Sequence, residues 1–130
     1  MRSTALLAVM SFAAMVATEA QAQEGDAAAG ATVFNRCKAC HVVEDAKNKV
    51  GPSLMGVVGR KAGTHEGFKY SQAMVEAGEG GLVWDEATIA EYLKDPKGFI
   101  KGNKMAFPGL KKDDEVANVI AYLKQYSQPQ

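Results

Sequence analysis

From Asp26 to Gln125 the apolar residues fall into four short runs at helical spacing, separated by stretches where glycine and proline take their place. In the first run Asp26 is a good N-cap, and Gly30, Val33, Phe34 and Cys37 follow on one face. A helix is therefore expected to start at Asp26 and continue into the segment around Cys37. Gly30 in its middle costs up to ~1 kcal/mol relative to alanine, which points to a close backbone approach by another element.

Val50 to Gly67 carries Gly51, Gly56, Gly59, Gly63, Gly67 and Pro52, and reads as loop. Ser71 to Ala77 predicts a short helix closed by Gly78 at the C′ position, with Gly80 and Gly81 turning the chain before Trp84. Asp85 caps a third helix bearing Ile89, Tyr92 and Leu93, and Pro96 is expected to stop it. Phe99 to Leu110, with Gly102, Gly109 and Pro108, reads as an extended loop. The last helix, from about Asp113 to Gln125, places Val116, Val119, Ile120 and Leu123 on one stripe. Nothing demands a sheet. The expectation is an all-α domain in which the first and last helices bury their apolar faces against each other, with Gly30 at the crossing.

The N-terminal residues change the picture of where this domain works. Arg2 gives a positive start, Ala5 to Val16 is apolar apart from Ser11, and Ala20-Gln21-Ala22 is a small-residue processing site. Residues 1–22 are predicted to be a secretory signal peptide cut before Gln23, leaving one small domain over 23–130. The apolar run of about a dozen residues is short of the ~20 that span a bilayer, and no later segment is apolar enough to do so. A soluble, exported protein is the expectation. Cleavage removes Arg2 and Glu19, so the 15 basic and 15 acidic residues of the 130-residue chain become 14 of each. That balance argues against nucleic acid as a partner. Positive charge nevertheless gathers at Lys94, Lys97, Lys101, Lys104, Lys111 and Lys112, beside the acids Asp113, Asp114 and Glu115.

Both cysteines of the chain lie in one pentapeptide, Cys37-Lys38-Ala39-Cys40-His41. Two thiols three residues apart on a turn can each form a thioether to a haem vinyl group, while the adjacent imidazole ligates the iron; this is the attachment motif of c-type haem. A thioredoxin-like dithiol would sit near a strand-helix-strand pattern, and a structural zinc would take ligands from a second such pair. Neither accompanies the motif here. A large apolar cofactor also supplies core that so short a chain lacks.

The identity of the second axial ligand separates electron transfer from gas binding or catalysis. The candidates are Met55, Met74, Met105, His65 and, at higher pH, a lysine. Met105 stands outside any amphipathic period, in a loop bounded by Gly102 and Pro108 and far along the chain from His41, which favours it. Met74 sits on the apolar side of a short helix and reads as filler. Met55 follows His41 too closely, and His65, between Thr64 and Glu66, reads as a solvated side chain.

Taken in order, Cys37 to His41, Gly51-Pro52-Ser53-Leu54, Gly59-Arg60, Tyr70-Ser71, Trp84, Tyr92-Leu93, Lys104-Met105-Ala106-Phe107 and Ala121-Tyr122-Leu123 resemble the class I cytochromes c, of the bacterial cytochrome c2 and mitochondrial type. The resemblance covers essentially all of 23–130. It implies one haem c bound through Cys37 and Cys40, with His41 and Met105 as iron ligands. It implies that the Pro52 carbonyl orients His41, that Arg60, Tyr70 and Trp84 hold a haem propionate, and that Tyr92 lies near the Met105 sulfur. Gly30, Phe34 and Tyr122 would make the contact between the terminal helices. Two positions depart from the family: Met74 stands where many relatives have Asn, and Asn103 where Thr often precedes the Lys-Met pair. Asn103 is expected still to donate to a propionate, and Met74 to dry the pocket.

A site closed by His and Met leaves one-electron exchange as the expected activity. The expectation is a monomeric periplasmic carrier, not an enzyme, passing electrons from a cytochrome bc1-type donor to a terminal oxidase or photosynthetic reaction centre. Arg36, Lys38, Lys97, Lys104, Lys111 and Lys112 are expected to form a positive rim for docking, weakened by the zero net charge. A peroxidase with a labile Met105 and a haem module dedicated to one dehydrogenase are the alternatives.

Overall fold

The computed structural model describes residues 24–127; the expected signal peptide lies outside them. The chain forms α1 (Ala27–Phe34), β1 (Arg60–Lys61), α2 (Gln72–Glu79), β2 (Val83–Trp84), α3 (Glu86–Lys94), α4 (Pro96–Phe99) and α5 (Asp113–Gln125). The terminal helices α1 and α5 pack together, as expected.

The Asp26 carboxylate accepts the Ala28 and Ala29 N–H groups at 2.8 and 3.3 Å and so satisfies donors that α1 cannot satisfy itself. Gly30 lies at the crossing as expected. A Cβ there would overlap the Asn118 carbonyl of α5 and come within 2.9 Å of the Tyr122 Cβ. Phe34 meets Tyr122 with ring centroids 5.2 Å apart, and the stripe Val116, Val119, Ile120 and Leu123 is buried. Beyond Phe34 the α-helix gives way to tight turns. Cys37 N–H donates to Phe34 O at 2.8 Å and His41 N–H to Cys37 O at 2.9 Å, so these turns, a mixture of three- and four-residue bonds, carry the helical path through the pentapeptide.

Two expectations are corrected and one is extended. Gly78 is not a C′ residue: α2 runs through it to Glu79, and Gly80 is the cap. The reason is steric, because a Cβ on Gly78 would overlap the Ala62 carbonyl. Pro96 follows the end of α3 as expected and also opens the one-turn α4, where its missing N–H costs nothing, and Asp95 caps that turn through Gly98 N–H at 3.0 Å. A sheet does exist, as a minimal antiparallel ladder pairing Arg60 with Trp84 and Lys61 with Val83. This ladder brings the glycine-rich loop beside the start of α3. There, a capping box between Asp85 and Thr88 fixes the helix origin.

Helices α3 and α5 are joined at both ends by ion pairs, Lys94 to Asp113 at 2.8 Å and Lys124 to Glu86 at 2.7 Å. Among the described residues, no helix is long and apolar enough to cross a membrane.

Candidate functional site

The turns after α1 leave Cys37 and Cys40 as free, half-buried thiols and carry His41 against the Gly51-Pro52 segment. Gly51 N–H donates to Cys40 O at 2.8 Å, closing that segment onto the motif. His41 Nδ1–H donates to the Pro52 carbonyl at 2.7 Å, which fixes the tautomer and leaves Nε2 as the nitrogen with a lone pair. Gly51 is glycine because the imidazole occupies the space a side chain would need. Burial lowers the pKa of His41, against the opposing pull of the Pro52 bond, so the ring is neutral at pH 7 and able to ligate a metal. Burial likewise pushes the Cys37 thiol up to about 11.

Met105 is half-buried, and its sulfur accepts the Tyr92 hydroxyl at 3.8 Å. Tyr92 is held by rings on both sides, with centroids 4.9 Å from Trp84 and 6.1 Å from Phe99. Burial raises its pKa to about 12, so the hydroxyl keeps its proton and remains a donor. Met74 packs on the same apolar cluster as Cys37, Leu54, Trp84, Tyr92, Phe99 and Met105, while Met55 is 37 % exposed.

Arg60 and Tyr70 come together through a residue that sequence reading set aside, and Trp84 meets Arg60 as its partner in the β1–β2 ladder. Arg60 Nη2 donates to Ser53 O at 3.0 Å, and Nη1 donates to His65 Nδ1 at 3.1 Å. His65 N–H donates to the Tyr70 hydroxyl at 3.1 Å, and its Nε2–H to Ala46 O at 3.0 Å. His65 is therefore a tie between loops rather than a solvated side chain. Its polar neighbours in sequence carry no sign of this, since every partner but Arg60 and Tyr70 is backbone. Ser53 was also passed over; it is fully buried, its hydroxyl donating to Asp45 O and accepting Met55 N–H at 3.2 Å.

Asn103 is placed beside Met105, but its amide serves the loop. Both amide hydrogens go to backbone carbonyls, Pro96 O and Ile100 O, each at 2.8 Å, which leaves no donor for a propionate. Of the expected positive rim, Arg36 is neutralised by Glu115, with Nη2 to Oε1 at 2.6 Å and Nη1 to Oε2 at 3.0 Å. It braces the start of the pentapeptide against α5.

This donor set suits haem c. Two thiols at the attachment spacing, a neutral imidazole with Nε2 available, a thioether and an apolar aromatic wall are what a flat iron-bearing macrocycle requires. The bound haem supplies one-electron exchange between Fe(III) and Fe(II).

The comparisons with known proteins agree. The family model described as Cytochrome c matches residues 27–127. A cytochrome c2 iso-2 of Magnetospirillum fulvum is 62% identical over 91 residues, 70% of this chain and 92% of that one. A cytochrome c2 of Agrobacterium tumefaciens (strain II Chrys) is 52% identical over 101 residues, 77% of this chain and 91% of its own. Among solved structures, cytochrome c2 from Rhodospirillum centenum superposes with a TM-score of 0.77 at 44% identity, covering 80% of this chain and all of that one. With the motif, the fold and these relatives in agreement, the chain belongs to the class I cytochrome c family, electron-transfer proteins rather than enzymes, which carry one haem c joined covalently through a Cys-x-x-Cys-His motif.

Proposed function

We propose that this cytochrome is an exported, periplasmic, monomeric one-electron carrier whose iron is ligated by His41 and Met105. The observation that carries the reading is the hold on the Met105 sulfur. It is half-buried in the apolar cluster and accepts the Tyr92 hydroxyl, as an internal ligand does and a surface methionine does not. With imidazole and thioether both engaged, no position is open to oxygen or peroxide, so the activity is electron exchange rather than catalysis. A neutral sulfur ligand and an apolar surround favour Fe(II), giving a positive potential relative to bis-His centres.

In this reading Pro52 fixes the His41 ring, while Arg60, Tyr70 and Trp84 hold a propionate near His65. Burial lowers the Arg60 pKa, and a propionate carboxylate beside the guanidinium would oppose that shift. Residues 1–22 act as the export signal. The donor is a cytochrome bc1-type complex and the acceptor a terminal oxidase or photosynthetic reaction centre, met through Lys38, Lys97, Lys104, Lys111 and Lys112. The test is addition of cyanide or imidazole to the oxidised holoprotein at neutral pH. Weak, slow binding is expected, and rapid binding with peroxide turnover would reassign the protein to peroxidase chemistry.

A further inference from the structure

The segment that delivers Met105 has almost no regular structure, yet it is tied down at one residue. Between α4 and Met105 the chain reverses through Gly102, whose φ of +86° suits glycine. Asn103 follows and is 5% exposed. Its amide nitrogen donates to Pro96 O and to Ile100 O, both at 2.8 Å, and its Oδ1 accepts the Met105 N–H at 2.9 Å. Its main chain is held as well: Asn103 N–H donates to Ile100 O at 3.3 Å, and Lys97 Nζ donates to Asn103 O at 2.5 Å. The side chain therefore bridges the beginning and end of α4 to the backbone of Met105.

No other polar side chain bonds the Met105 main chain among the described residues. Threonine could not reproduce the bridge, because its hydroxyl has one hydrogen where the amide has two. Losing the amide would leave Pro96 O and Ile100 O with only their longer backbone donors, at 3.1 and 3.3 Å, and would strip the Met105 N–H of its side-chain acceptor, which favours an opened loop that water can reach.

We infer that Asn103 is the positioning residue for Met105, holding its backbone to α4 so that the thioether stays at the iron. This rests on Met105 being the ligand. An external ligand reaches the iron only in the fraction of molecules whose loop is open, so its apparent affinity measures that fraction.

The experiment is an imidazole titration of oxidised holoprotein at pH 7, alongside the intensity of the weak Met-to-iron absorption band. The variants are Asn103→Ala, Asn103→Thr, Met105→Ala and Ile120→Val. Ile120 is a buried core residue of α5, away in sequence from the loop, and its truncation supplies a general loss of stability. The expected result is roughly tenfold tighter imidazole binding in Asn103→Ala, with a weakened band, and an intermediate shift in Asn103→Thr. Ile120→Val should unfold at lower denaturant and yet bind imidazole as the parent does. Parent-like affinity and band in Asn103→Ala would overturn the inference, as would a shift no larger than in an Ile120→Val protein of equal stability. If Asn103→Ala does not fold, Asn103→Thr decides by the same comparison. Met105→Ala separates the two readings: tighter binding there with an unchanged Asn103→Ala removes only the positioning role, whereas parent-like binding in Met105→Ala removes the ligand assignment itself.

Discussion

Gly51 shows how much of the site depends on a missing side chain. Its α-carbon faces the His41 ring, so Gly51→Ala must push the imidazole away or break its bond to Pro52. A loss of about 2 kcal/mol or more in denaturant unfolding is expected, together with a perturbed haem spectrum. Met74 belongs to the same scale. It contributes a thioether to the apolar cluster, where an amide would stabilise the extra charge of Fe(III). Met74→Asn should therefore lower the reduction potential, and an unchanged value would show that this position does not tune it. The His41–Pro52 and Tyr92–Met105 contacts were legible from the resemblance, because they depend on residues the motifs name. The roles of Asn103 and His65 were not, because their partners are mostly carbonyls, which no sequence position advertises.

At the scale of elements, helix stripes were read correctly wherever apolar spacing alone decides burial, as in α1 and α5. Gly30 and Gly78 look alike in sequence and turn out alike in structure, each a place where a neighbouring carbonyl occupies the Cβ position. Only Gly30 was recognised, because Gly78 sits where a C′ glycine is equally natural and the Ala62 backbone that demands it is invisible in the sequence. Alanine at either position should cost several kcal/mol, roughly the overpacking range, measured by thermal or denaturant unfolding. The origin of α3 gives a pH prediction. Hydrogen bonds from Thr88, backbone first and hydroxyl second, hold the Asp85 carboxyl below the usual carboxylate range. Its stabilising contribution is therefore complete above the unfolded value of about 4 and is lost as pH falls through the lower folded value. Asp85→Asn should be less stable than the parent at pH 7, and the gap should close as both are acidified below about pH 4.

For the whole molecule, the balance of charges matters less than its placement. Arg36 leaves the rim through Glu115, whereas Lys97, Lys104 and Lys111 each donate to backbone carbonyls and so present charges fixed in position. Electron exchange with an acidic partner should slow as salt rises past ~0.1 M, where screening acts within about 10 Å, and Lys112→Glu should slow it further at low salt. A flat salt dependence would remove the rim from the account. Everything at the larger scales serves the one arrangement proposed, a haem iron closed between His41 and Met105. The most direct measurement is the Met-to-iron absorption band of the oxidised holoprotein, compared between the parent and Met105→Ala. The band should be present in the parent and absent in the variant, and its persistence in Met105→Ala would place the sixth ligand elsewhere.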